Sequence, residues 1–189
     1  MPSFDLLDRS SGEFAKRLRA VTDEHRALPT PCADFTVRDL VAHVVGGNRM
    51  STVLLAGGSR DDALAVFRTD VLGSNWVEAY NGSYRTMYDA FQRPGTMNRT
   101  VHHPAFDMPA SQLFEFRTVE YAVHGWDLAR AIHADDTLNA ELVTALWQQL
   151  EPMAETLRSS GVFGTGSTGT MPASAPLQAR VLDLTGRVQ

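Results

Sequence analysis

Two stretches of this 189-residue sequence carry side chains suited to holding a divalent cation. In the later one, Glu120 and His124 lie four residues apart, flanked at three residues by Arg117 and Asp127. On a helix turning about 100° per residue all four fall in one narrow sector, and Glu120 and His124 can reach a common point beyond the helix surface. A carboxylate oxygen and an imidazole nitrogen both suit zinc and similar ions, but a helical pair needs a third ligand from a facing helix. The earlier stretch offers His43, at the edge of an apolar stripe of Val37, Leu40, Val41 and Val44, where a side chain points between two helices. Gly46 and Gly47 just after it would let another backbone approach closely.

Other readings of the same residues stay open at this point. Arg117, Glu120, His124 and Asp127 also fit a solvated face of ion pairs at helical spacing, each contributing only tenths of a kcal/mol. A single histidine on a helix edge, such as His43, also fits a hydrogen-bonded or half-exposed role. His102, His103 and His133 are rival ligands. The first two are adjacent in an extended segment, so their side chains go to opposite faces and at most one turns inward. Cys32 is a nucleophile only where a base or a helix N-terminus lowers its pKa, and otherwise a small buried side chain.

These residues need helices to position them. Phe14, Leu18 and Val21 recur at helical spacing in a first amphipathic helix from about Phe4 to Leu28, ended by Pro29 and Pro31. Thr36-Val37-Arg38-Asp39 matches a capping box and starts a second helix running to about Ala56, with Gly57-Gly58 as its stop. Residues 59–73 are left open between a short helix and a loop. A third helix, Ser74 to Gln92, carries the aromatic stripe Trp76, Tyr80, Tyr84, Met87, Tyr88 and Phe91, read as core, and closes at Pro94-Gly95. Residues 96–108 read as extended because of His102-His103-Pro104. Pro109 opens a fourth helix to about Ile132 that is apolar almost all round and therefore central. A fifth helix from Asn139 carries Leu142, Leu146, Trp147 and Leu150 and ends before Gly161; a loop to Pro176 and a short amphipathic piece, Leu177 to Leu184, follow. The expected fold is all-α, an up-and-down four-helix bundle over 1–160 with an extra helix or short extended segments, and a Gly/Ser/Pro-rich tail over 161–189 packing on it.

Composition narrows the function. A formal charge of −5 with no cluster of Lys and Arg argues against nucleic acid or an anionic membrane surface as partner. No apolar run approaches the roughly 20 residues of a membrane span. The N-terminus shows no basic region followed by an apolar stretch, and Cys32 is the only cysteine, so the cytoplasm is the expected location. If the chain forms a homodimer, the third and fifth helices are the expected interface. A helical partner-binding module without metal would need a sizeable exposed apolar patch.

The run from Pro31 to His43, followed by Gly46-Gly47-Asn48, resembles the start of the second helix in the DinB-like, mycothiol-dependent maleylpyruvate isomerase-like proteins of actinobacteria. The run from Glu120 to Ala129 resembles their second signature, an acidic residue, then His, then Trp-Asp-Leu-Ala. Ser160 to Gly164 and Leu182 to Arg187 resemble the family's ending. The resemblance implies a divalent metal, usually zinc, held by His43, Glu120 and His124, with a coordination position left for water or substrate. Nickel and iron(II) suit the same ligand types. It further implies mycothiol or a similar small thiol as cosubstrate, activated as a thiolate for addition to an electrophile in a transferase or isomerase reaction, with Arg117 or Asp127 orienting a ligand or binding a carboxylate. The isomerase that names the family carries a further C-terminal domain for which this length leaves no room, so a transferase is expected ahead of maleylpyruvate isomerisation. A non-catalytic metal-binding or stress-response protein of the same fold is the alternative.

Overall fold

The computed structural model describes residues 3–160 and 167–187. Its helices are α1 (Phe4–Leu18), α2 (Val37–Leu55), α3 (Arg60–Ala65), α4 (Trp76–Gln92), α5 (Ala110–Ala131), α6 (Ala140–Leu150), α7 (Ala154–Ser160) and α8 (Leu177–Leu184). A short antiparallel hairpin, β1 (Thr100–His102) and β2 (Asp107–Pro109), leads into α5.

Local signals explain most boundaries. The Thr36 side chain accepts from the Asp39 N–H while Asp39 bonds back to the Thr36 N–H, so the expected capping box starts α2. Gly57, at φ +91°, follows its end. A second such box, Ser59 with Asp62, settles the open stretch by starting α3. Two helices are shorter than their periodicity predicts. α1 ends at Leu18 because Thr22 is extended and begins a separate capped turn over Asp23–His25. The predicted fifth helix is interrupted at Glu151–Met153, where Pro152 can neither donate to the ladder nor avoid the preceding carbonyl. The expected loop at 161–166, and with it most of the Ser160–Gly164 run, lies outside the described residues.

α1, α5, α2 and α4 pack in that order around one core, each against its two neighbours, in the all-α, DinB-like bundle. Among the core side chains, Phe14, Leu40, Val44, Met87, Phe91 and Phe114 are all at most 1% exposed. The aromatic stripe of α4 is core, as expected: Trp76, Tyr80, Met87 and Phe91 are buried, and Tyr84 and Tyr88 are partly so. α5 is apolar on most sides because it serves two cores. Leu113, Phe114, Tyr121 and Leu128 face the bundle, while Val119, Ala122, Val123 and Trp126 face α6 and α8. Truncating a side chain of this kind to alanine typically costs about 2–5 kcal/mol. Among the described residues no helix is long and apolar enough to cross a membrane.

Candidate metal centre

The sector of α5 that carries Arg117, Glu120, His124 and Asp127 is not a solvated face. Arg117 is 1% exposed, His124 7% and Asp127 0%, and only Glu120 keeps moderate exposure. It turns toward α2, and the ligand atoms of His43, Glu120 and His124 lie within 4.8 Å of one another. His43 Nε2 stands 3.4 Å from Glu120 Oε1. Two ligands held about 2.0–2.1 Å from one tetrahedral ion are separated by about 3.4 Å, so this pair is already at coordination spacing. The His43 and His124 rings meet edge to face at 5.1 Å.

The supporting hydrogen bonds decide which atoms are free to coordinate. His124 Nδ1 is 3.0 Å from Asp127 Oδ2. Burial pushes the Asp127 carboxyl up, but His124 and Arg187 outweigh it and hold it below the usual carboxylate range. An ionised carboxylate only accepts, so Nδ1 carries the proton and the Nε2 lone pair is left for an ion. Burial also holds the His124 imidazole below its ordinary value, against Asp127, and so favours the neutral ring that coordination requires.

Asp127 is itself held from a distant part of the chain. Arg187 donates to it from Nε at 3.1 Å and from Nη2 at 2.7 Å, while its Nη1 donates to the Thr185 carbonyl at 2.6 Å. The end of α8 aims this side chain. Gly186, at φ +75°, donates to the Asp183 carbonyl and Arg187 N–H to the Leu182 carbonyl, the paired bonds of a Schellman turn. A left-handed residue is needed there, and glycine takes that conformation without strain.

Glu120 is fixed from its other oxygen. Oε2 accepts from Arg117 Nη1, which leaves Oε1 for His43 or an ion. Burial pushes this carboxyl up, but Arg117 and then His43 outweigh it, holding Glu120 well below the usual carboxylate range. Arg117 is held in turn by the Val44 carbonyl at 3.0 Å and by Asn48 Oδ1 at 2.8 Å, and its guanidinium lies over the Tyr121 ring. Asn48 also accepts from the Tyr121 hydroxyl and donates to Ser83 Oγ at 3.0 Å. Gly46 and Gly47 admit side chains and not the backbone expected. A Cβ on Gly47 would lie 2.3 Å from Arg117 Nη1, and one on Gly46 2.4 Å from the Phe67 ring.

The triad opens on a cavity of about 320 Å³ bounded by α2, α5, the 31–35 loop, the hairpin and Gly186-Arg187. Of the rival histidines, His102 turns outward to Asp107 at 2.9 Å, His103 lines the cavity, and His133 is exposed beyond the end of α5. Cys32 is also in the wall, with Sγ within 4.8 Å of ligand atoms of His124 and Asp127. Burial pushes its thiol up, only partly offset by Arg187, the opposite of the shift that activates a thiol. A larger, open groove of about 720 Å³ between α2 and α4 is lined by Arg49, Glu78 and small or apolar residues, with no histidine or cysteine.

Sequence reasoning assigned His43, Glu120, His124, Arg117 and Asp127 to one site, and the structure brings all five together. It did not single out Asn48 or Arg187 as parts of that site. Arg187 follows a glycine suited to ending a helix, a sign that the side chain is re-aimed but not of where it goes.

A helical bundle holding two histidines and a carboxylate around one point, with Glu120 and His124 each oriented by a buried partner, has the donor set of an open divalent-metal site. Residues 7–129 match the family described as the mycothiol maleylpyruvate isomerase N-terminal domain, and the chain belongs to that family. It is also 30% identical, over 138 residues covering 71% of this chain and 69% of theirs, to the uncharacterized Mycobacterium tuberculosis proteins MT0763 and Rv0738. No solved structure matches.

Proposed function

We propose that this protein holds one divalent cation, zinc first, through His43 Nε2, Glu120 Oε1 and His124 Nε2, and uses it in thiol-dependent transfer or isomerisation, with mycothiol or a similar small thiol as cosubstrate. The observation that carries the reading is the contact of His124 Nδ1 with Asp127, which leaves Nε2 as the free lone pair of a ring grouped with His43 and Glu120, ligand atoms within 4.8 Å of one another, at the wall of a cavity. Three protein ligands leave a position open, as in catalytic sites and unlike closed structural ones. A cation there would keep a bound thiol deprotonated at neutral pH, supplying the nucleophile that attacks an electrophilic carbon.

The residues of the chain divide the remaining work. Arg117 keeps Glu120 ionised and pins Oε2, so Oε1 alone faces the ion. Asp127 and Arg187 hold His124 in its tautomer. Neither Arg117 nor Asp127 has a side chain free to act on substrate, so both are positioning residues.

The test is elemental analysis of tag-free protein beside His43→Ala and Glu120→Ala, with calorimetry of thiol binding on the same samples. About one metal per chain, lost in both variants together with thiol binding, is expected. Metal without thiol binding would favour the non-catalytic metal-binding reading, and a folded wild type free of metal would overturn the site.

A further inference from the structure

Beyond its metal ligands the cavity is walled by Phe35, Met50, Phe106, Leu113 and Phe116. Phe106 stands edge-on to Phe116 with ring centres 6.4 Å apart and is 42% exposed, which puts it at the opening. Two cations belong to the wall, Arg117 and Arg187, and both are committed. Arg117 serves Glu120, the Val44 carbonyl and Asn48, and its one unpartnered nitrogen, Nε, is buried. Arg187 turns both edges of its fork to Asp127 and Thr185. Recognising a carboxylate takes a free fork of donors, and among the described residues of this wall there is none.

Besides the weakly donating Cys32 thiol, one polar side chain of the wall has no part in the site so far. His103 Nδ1 accepts the Ala105 N–H at 3.2 Å, and a nitrogen that accepts carries no proton, so the ring's proton is on Nε2. Among the described residues Nε2 has no hydrogen-bond partner. An apolar cavity with one strong neutral donor beside a weak thiol is built for a molecule with an apolar body and one acceptor atom.

We propose that the electrophile taken by this cavity is neutral and apolar, with a carbonyl-type oxygen that accepts a hydrogen bond from His103 Nε2, and is not a dicarboxylate. The proposal rests on the reading of this cavity as the place where thiol chemistry occurs. His103 is then the residue that selects and orients the electrophile, while the aromatic wall supplies most of its affinity.

The test uses unreactive probes on the full chain, as isolated and after chelation, followed by ligand-observed NMR titration with acetophenone, ethylbenzene and succinate. Acetophenone should bind saturably in both preparations and about fivefold tighter than ethylbenzene, the size of one neutral hydrogen bond. Succinate should show no saturable binding. His103→Phe should bring the acetophenone-to-ethylbenzene ratio to about one without weakening ethylbenzene, and His103→Gln, which keeps a donor, should restore much of it. Succinate binding as tightly as acetophenone, no saturable acetophenone binding, or an unchanged ratio in His103→Phe would overturn the proposal. Because chelated protein is included, failure here is distinct from failure of the metal site, which the metal content reports separately.

Discussion

Asp127→Asn tests the central link between the bundle and its chemistry, because it removes a charge while keeping the side chain's shape. Three donors converge on Asp127: His124 Nδ1 at 3.0 Å, Arg187 Nε at 3.1 Å and Arg187 Nη2 at 2.7 Å. A carboxylate meets them with two acceptor oxygens, whereas an amide has one oxygen and one NH2 group. Oδ1 accepts from Arg187 Nε and Oδ2 from both His124 Nδ1 and Arg187 Nη2, so the NH2 opposes an Arg187 donor in either orientation, at a position that is 0% exposed, costing about 1–3 kcal/mol for the unsatisfied groups. With the NH2 in the Oδ2 position, His124 also has to accept at Nδ1 and move its proton to Nε2, which caps the nitrogen that the ion needs. With the NH2 in the Oδ1 position the tautomer is kept, but His124 donates to a neutral amide in place of a carboxylate and is the weaker ligand for it. Loss of an outer partner of this kind lowers metal affinity about 10- to 100-fold, or about 1.4–2.7 kcal/mol. The assay is competition with a chromogenic chelator for zinc, run on wild type and variant, with thermal melts of both. A lower Tm should accompany the weaker binding, because Arg187 loses its counter-charge. An unchanged zinc Kd in an Asp127→Asn protein that melts cooperatively would refute the role given to the Asp127 carboxylate in making His124 a ligand.

Further outcomes follow from the same contacts. Glu120→Ala and His43→Ala should both lose metal, yet only the former should destabilise the chelated protein strongly, by about 3–5 kcal/mol, because Arg117 is 1% exposed and would keep a buried charge without its partner; equal urea midpoints for the two variants would contradict this. Gly47→Ala should destabilise more than Gly46→Ala, since the added Cβ meets an arginine pinned by buried hydrogen bonds in one case and the edge of the half-exposed Phe67 ring in the other; thermal melts in the reverse order would refute it. In chelated protein, burial holds His124 and His103 below the ordinary imidazole value, so below about pH 6.5 the unfolded chain binds more protons than the folded one. Stability should therefore fall from pH 7 to pH 5 and fall further below about pH 4, as Glu120 and Asp127, both held below the usual carboxylate range, are forced to protonate; urea midpoints that rise on acidification would have the wrong sign. Cys32 should alkylate at neutral pH more slowly than a free cysteine, because burial pushes its thiol up; a rate above that of free cysteine would show an activated thiolate.

The sequence by itself determined the elements and the sector that carries the chemistry. Helical period alone puts Arg117, Glu120, His124 and Asp127 on one side of α5, and the Thr36–Asp39 box alone sets where α2 begins and so where His43 falls along it. Strand alternation likewise foresaw that at most one of His102 and His103 would turn inward; His102 points outward and His103, just past the end of β1, lines the cavity. These features arise from interactions within about four residues, so the pattern of types records them. The end of α1 and the break at Pro152 were missed because each local signal stood inside a longer apolar period that a single-helix reading favours.

The tertiary structure alone decided that most of the α5 sector is buried, and that Arg117 and Asp127 turn to Glu120 and His124 within it. It also decided that Asn48 and Arg187 complete the site, Arg187 reaching Asp127 across 60 positions of sequence. Such pairings depend on how helix faces settle against one another, and the hydrophobic burial that drives this is non-directional. A run of apolar residues records that a face will be covered, but not which charged side chain arrives beside it.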